Sequence, residues 1–460
     1  MSLNAVLDQI DAGLPQALER LFALLRIESI STDPAYAPAC RDAAEWLVAE
    51  LAALGFEASR RDTPGHPMVV AHGGEGGPHL LFYGHYDVQP VDPLELWERP
   101  PFDPAIVERP GGAVVTARGA GDDKGQLMTF VEAVRAWKAV TGRLPCRLTM
   151  LIEGEEESSQ GSLVPFLEAN AGELRADLAL VCDTDLWDAE TPAITTMLRG
   201  IAISQITIRA ATHDLHSGQY GGPVINPIRV LARIIAGLHD DDGRITLPGF
   251  YDGVPPLPPE VKAQWDGLGF DAGGFLGAVG LSRPAGERAF PVLEQLWSRP
   301  TCEVNGIRGG YTGAGFKTVL PAEAHAKVSF RLVGDQDPER ILESLHAHVR
   351  AHLPPDCSVE FVEDASRAVS LPVDAPAFAL ARRALSEEWP RPAVFVGGGF
   401  SIPIVEHIRA ILGMDVLMIG FGREDDNVHA PNEKYDLASF HKGARSWARV
   451  LAALTRDAHV

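Results

Sequence analysis

The chain has 460 residues, 46% hydrophobic and 22% charged. At roughly 100–200 residues per domain this suggests two or three domains with sizeable cores, and it excludes a disordered tail, a collagen-like repeat or a coiled coil. With 62 acidic against 40 basic residues, the formal charge is −22. Such a surface repels phosphate backbones and anionic lipids, so no nucleic acid and no membrane is expected as a partner, whereas cations are.

Five cysteines (Cys40, Cys146, Cys182, Cys302, Cys357) lie scattered with no CxxC pair, which gives neither a disulfide framework nor a zinc ribbon. The opening MSLNAVLDQIDAGLPQALER carries acids where a signal peptide would carry bases. No run approaches the ~18 apolar residues of a transmembrane helix. A cytoplasmic setting is the expectation.

In chain order, LPQALERLFALLRI and CRDAAEWLVAELAALGF have apolar residues at helical spacing. HLLFYGHYDV, RLTMLIEG and ADLALVCD are short apolar runs that suit buried strands. DKGQLMTFVEAVRAWKAVTG, between the first two runs, reads as a helix ending at Gly142. Helix alternating with buried strand predicts an α/β layer fold. From about Gly200 the texture changes. GIAISQITIRAAT alternates with period two, then come a helix (NPIRVLARIIAGLHD) and a Gly/Pro-rich stretch. A hairpin-like segment, the helix DPERILESLHAHVRAHL and the strand CSVEFVED follow. The order β-α-β-β-α-β predicts a ferredoxin-like α+β domain with one sheet face open. AVFVGGGFSIP, MDVLMIGFG and a closing helix resume the buried pattern. The expectation is a catalytic domain over 1–199 and 385–460, interrupted by an inserted domain over 200–384.

Acids and histidines collect at the ends of the buried strands. His85 and Asp87 lie two apart, on one side of an extended chain, at the carboxyl end where open α/β sheets bind ligands. Alone, such a pair is more often a local hydrogen-bonded pair. Asp122 and Asp123 precede a helix, where acids usually serve as N-cap and dipole partner, but Gly119 and Gly121 crowd the same turn. Glu155, Glu156 and Glu157 follow a buried strand, where their repulsion needs cations or protons. Asp183 and Asp185 close another strand, and His429 sits in the polar loop NVHAPNE. Together, His85, Asp122, Glu157, Asp185 and His429 offer nitrogen and oxygen ligands without thiolate, which suits an open catalytic ion. Three ligand carboxylates plus a bridging hydroxide carry four negative charges, which two divalent ions cancel.

These motifs resemble metallopeptidase family twenty. That family includes carnosinase-like and Cys-Gly-type dipeptidases, glutamate carboxypeptidase, aminoacylase, and acetylornithine and succinyl-diaminopimelate deacylases. The resemblance spans essentially the whole chain, with YGHYDVQP, RGAGDDKGQ, EGEEES, VCDTD and NVHAPNE in the family's order. It implies a mixed-sheet, zinc-exopeptidase-like catalytic domain and an inserted lid that also dimerises. It implies two divalent ions, zinc first, with manganese or cobalt also accepted by such ligands. His85 and Asp185 would bind one ion, Glu157 and His429 the other, and Asp122 would bridge them. Asp87 would orient His85.

Glu156 would be the general base, placed there rather than at 155 or 157 because Ser158 then follows the ligand as in the family pattern. A cis peptide is implied between Asp122 and Asp123. His216, in THDLHSGQYGGP, would reach a neighbouring subunit's site and hold the oxyanion. Thr318, Arg331, Gly399 and Ser401 would hold the substrate's carboxylate. For these the plain alternatives remain an exposed strand arginine, a glycine turn and a histidine capping its own turn. The implied activity is hydrolysis of dipeptides or related amides with a free carboxylate. An N-acyl-amino-acid deacylase, and less so an inactive metal-binding assembly protein, are the alternatives.

Overall fold

A computed structural model describes residues 3–158, 161–400 and 402–456. The chain separates into two compact units. The first runs to Thr196 and resumes over Leu371–Val396 and from Ile404; the second holds Met197–Ser370 and Gly397–Pro403. The inserted unit therefore starts near the expected 200 but returns at Ser370 rather than 384. The physical reason is the helix Pro376–Ser386, whose buried Phe378, Ala381 and Leu385 belong to the first unit's core.

The first unit is built on a mixed sheet. Its strands run in the order Glu57–Arg61, Met68–Gly73, Arg147–Glu153, His79–His85, Leu178–Val181, Val416–Met418 and Ala193–Leu198. His79–His85 is parallel to both neighbours, with His85 opposite Glu153 and Tyr83 opposite Val181. All seven of its residues are buried, which is why its sequence is apolar throughout rather than alternating. The register brings three strands to end at one edge, so Asp87, Glu155 to Glu157 and Asp183 all leave the sheet there.

The helix Lys124–Thr141 ends as expected, with Gly142 at φ 77° and its N–H donating to the Lys138 carbonyl at 2.9 Å. It lies on the central strand through Phe82 and Phe130, stacked at 3.8 Å, and Trp447 of the helix Leu437–Arg456 meets Phe130 edge-on at 5.3 Å. The first helix, Leu3–Leu25, starts well before LPQALER and contains Pro15. Val6, Leu7, Ile10, Ala17, Leu18 and Leu21 bury one continuous helical face, so tertiary packing outweighs the donor lost at proline.

The second unit has the β-α-β-β-α-β order, but its second strand is Thr301–Gly309, inside the stretch read as Gly/Pro-rich, and not the first half of the hairpin-like segment, where Val319–Leu320 pairs with Leu215–His216 instead. Its antiparallel sheet runs Thr301–Gly309, Glu323–Leu332, Gly200–Arg209, Ser358–Ser366, and the helices Pro227–Ala236 and Pro338–Ala351 cover one face. That face is apolar: Ala202, Ile206, Ile208, Ala326, Val328 and Phe330 pack against Val230, Leu231, Ile341 and Leu345. The residues between them are mixed: Gln205, Lys327 and Asp364 are polar, while Ile203, Val304, Ile307 and Val362 are exposed hydrophobics. Among the described residues no helix is long and apolar enough to cross a membrane.

Candidate metal centre

His85 closes the central strand and has no exposed side-chain surface. Its Nδ1 lies 3.1 Å from the carbonyl oxygen of Asp87 and 3.4 Å from that residue's Oδ1, so the ring presents Nε2 to the strand edge. Asp87 is itself held, because its Oδ2 accepts the Ser31 hydroxyl at 2.6 Å and the Glu157 N–H at 3.0 Å.

Asp122 stands between two histidines. Its Oδ1 is 3.0 Å from His85 Nε2, and its Oδ2 is 2.9 Å from His429 Nε2. His429 Nε2 is also 3.2 Å from Glu157 Oε2, and His85 Nε2 is 4.0 Å from Asp183 Oδ2. Two donor groups result: His85 with Asp122 and Asp183, and Asp122 with Glu157 and His429, the ligand atoms of each lying within 4.8 Å of one another. The Asp122–Asp123 peptide is cis.

Asp183 therefore takes the place expected of Asp185. The strand ends at Val181, and the chain then turns so that Asp185 is bridged to Gly422, with the Leu186 N–H donating to the Gly422 carbonyl at 2.8 Å. The Asp185 carboxylate lies against the α-carbon of Gly422 and joins neither donor group. Asp123 departs from the N-cap reading too. Its side chain caps nothing; Oδ2 accepts the His85 N–H at 3.1 Å and the Cys182 thiol at 3.3 Å.

The three consecutive glutamates have three different fates. Glu155 is buried and accepts the His66 N–H, the Ser162 N–H at 3.2 Å and the Ser162 hydroxyl at 3.0 Å. Glu157 joins a donor group and accepts from Gln89 Nε2 at 2.7 Å. The Glu156 carboxylate has no hydrogen-bond partner among the described residues. Burial pushes it up to about 7, and the charges of Glu157, Asp87 and Asp122 add to this against the opposing pull of His85.

His429 rides on a loop with three non-glycine residues at positive φ, Asn427 at 55°, His429 at 60° and Asn432 at 65°. Asparagine and histidine are among the non-glycine residues that tolerate this backbone best. Asn432 ties the loop down, accepting the Glu98 N–H at 2.7 Å and donating to the Leu96 carbonyl at 2.9 Å. The contacts with Asp122 and Glu157 hold the His429 imidazole up at about 10. Burial works to raise the Asp122 carboxyl, but the two histidines win and hold it well below the usual carboxylate range. Burial and the neighbouring Asp122 and Asp123 hold Asp183 well above it.

The donors fit divalent cations. They are imidazole nitrogens and carboxylate oxygens with no thiolate, and the acids outnumber the bases.

The remaining expected residues fall in the second unit. His216 pairs with Val319 in a two-residue ladder, and the Ser217 N–H donates to the Thr318 carbonyl at 3.0 Å, so His216 and Thr318 are neighbours. His216 Nδ1 accepts the Gly218 N–H at 3.0 Å, which puts the proton of the neutral ring on Nε2. Arg331 lies opposite Ile201 and Thr301 in the sheet. Its guanidinium neighbours Arg199, which donates to the Gly399 carbonyl at 2.9 Å; burial, then Arg331's charge, lowers Arg199 to about 10. Ser401 lies outside the described residues. Ser31, Gln89 and Arg199 were not anticipated, and nothing in their local sequence singles them out.

A mixed sheet that gathers acids and one histidine at the carboxyl ends of its parallel strands, met by a second histidine from a loop, is the arrangement of a metal-dependent hydrolase. The chain belongs to peptidase family M20/M25/M40, whose profile matches residues 81–453. It is 30% identical to the Cys-Gly metallodipeptidase DUG1 of Saccharomyces cerevisiae over 98% of both chains. It is 28% identical to the human Beta-Ala-His dipeptidase over 80% of this chain and 73% of that one. Among solved structures, the yeast dipeptidase Dug1p superposes with a TM-score of 0.81 at 28% identity, covering 99% of each chain. The metallo-carboxypeptidase Sso-CP2 of Sulfolobus solfataricus superposes at 0.83 and 30% identity, covering 95% of this chain and 99% of that one.

Proposed function

We propose that the protein is a metal-dependent dipeptidase that hydrolyses the amide next to a free C-terminal carboxylate. The observation that carries this is Asp122, with one oxygen on each of two histidine-bearing donor groups and the unengaged Glu156 beside them. His85, Asp122 and Asp183 would hold one divalent ion; Asp122, Glu157 and His429 would hold the other. Zinc is the first candidate, with manganese or cobalt fitting the same donors. Bound there, the ions supply Lewis acidity at the scissile carbonyl.

The chain's own groups do the rest. Asp87 keeps the His85 ring turned so that Nε2 faces the ion. Glu156 takes the proton of the attacking water and delivers it to the leaving amine. Arg331, with Thr318, Gly399 and Ser401, holds the substrate's carboxylate. His216, its proton on Nε2, donates to the developing oxyanion of a partner subunit's site in a homodimer. Five free cysteines suit a reducing, cytoplasmic compartment.

The test is a panel of dipeptides and N-acyl amino acids assayed on metal-free protein reconstituted with zinc, manganese or cobalt. Dipeptides should be cleaved and N-acyl amino acids spared. The reverse preference would make the protein a deacylase, and no hydrolysis with any metal would leave only a binding role.

Subunit mixing tests the dimer. Glu156→Gln and His216→Ala homodimers should both be nearly dead. In a mixed dimer the His216→Ala subunit keeps its own Glu156 and borrows an intact histidine. With about half the dimers mixed, about a quarter of wild-type activity should return. Mixed dimers that recover none would place His216 in its own chain's site.

A further inference from the structure

Glu433 is fully buried on the loop that carries His429, and none of the functional roles above uses it. Its side chain faces four donors. Oε1 accepts the N–H groups of Gly121 at 2.8 Å and Asp122 at 3.1 Å; Oε2 accepts the Gly119 N–H at 2.9 Å and Arg118 Nη1 at 2.8 Å. Its own carbonyl accepts the Ala117 N–H at 3.2 Å. One side chain thus grips the whole turn that presents Asp122, and it does so from the loop that presents His429.

We propose that Glu433 is a positioning residue that sets the distance between Asp122 and His429, and so the affinity of the second donor group for its ion. This rests on the two-ion reading above. Asp122 must serve two histidines at once, and His85 is locked in a strand. Adjustment between the two sides therefore falls on the loop, where His429 is half exposed. Every partner of Glu433 is a donor, so only a carboxylate satisfies all four. A glutamine would point its NH2 at one pair of donors and lose both bonds of that pair. The cost should appear at the His429 side, because the His85 side keeps its strand, Asp87 and Asp183. Groups that orient metal ligands typically contribute 10- to 100-fold in metal affinity.

The experiment titrates Zn2+ and, separately, Mn2+ into metal-free full-length protein against a chelating competitor, resolving two binding steps. In Glu433→Gln one step should weaken by roughly 10- to 100-fold while the other holds within about threefold. Glu433→Asp, which keeps the charge but not the reach, should fall between Gln and wild type. Should the Gln variant fail to fold, the Asp variant carries the test with the same readout. Thermal unfolding of the metal-free proteins separates positioning from plain stability: a positioning role leaves the selective loss visible in folded protein. Two unchanged steps, or two steps weakened equally, would overturn the proposal. Wild-type protein that binds fewer than two ions would instead overturn the two-ion reading.

Discussion

The two histidines that face Asp122 come from opposite kinds of backbone. His85 ends a strand buried along its whole length, and its ring is backed by Asp87. His429 sits at positive φ on a loop, with 55% of its side chain exposed. Burial fixes the first donor group before any ion arrives, because neither strand nor ring can move without opening the core. The second group is fixed by side chains that reach across from elsewhere, so its geometry can be loosened without unfolding the sheet. A shared carboxylate lets one rigid half template the other.

The largest effect falls at the residue the two donor groups share. Asp122→Ala should empty both positions together and drop hydrolysis to background, measured as metal content and turnover on the same sample. One ion retained at full affinity would mean that the halves are independent.

Chemistry separates from binding at the glutamate run. Glu156→Gln should lower turnover by roughly 100- to 10,000-fold with both ions retained. If Glu155→Gln or Glu157→Gln gave that result instead, the base would be the neighbouring residue.

Asp87→Asn sharpens the contrast from the rigid side. Its Oδ1 faces His85, so the His85-side ion should weaken by about 10- to 100-fold in competitive titration. A larger loss at the other step would show that Asp87 works mainly through the Glu157 backbone.

The smallest effect belongs to the loop. Asn432→Ala loses two hydrogen bonds and places a Cβ of poor left-handed tolerance at φ 65°, a cost of about 1 kcal/mol or slightly more. The His429-side affinity should fall about fivefold or somewhat more. Asn432→Gly removes the same bonds but not the backbone freedom, so a milder loss there would assign the difference to φ.

Layer order and strand identity were legible because buried parallel strands are apolar at every position, and HLLFYGHYDV, RLTMLIEG and ADLALVCD could be little else. The β-α-β-β-α-β order of the inserted unit was legible too, but its strand Thr301–Gly309 was hidden in a stretch whose glycines and prolines mask the period-two pattern. The choice between Asp183 and Asp185 was not. Two acids in alternate positions point the same way only while the strand continues, and this one stops at Val181. The return point of the first unit was hidden for a related reason: PAFALARRALS is amphipathic whichever core it covers. Glu433 looked like any loop acid, since its four donors come from residues over 300 positions away.

The insertion has a consequence for how the enzyme is made. His85, Asp122, Glu157 and Asp183 precede the second unit in the chain, while His429 and Glu433 follow it. During synthesis the ribosome must therefore complete the whole of the second unit before the first can close its own sheet with Val416–Met418. Until then the nascent chain carries three acids and a histidine with no loop to complete them. A prematurely terminated product would expose apolar strand edges without acquiring activity, which makes it a natural client for chaperones and quality control rather than a stray hydrolase.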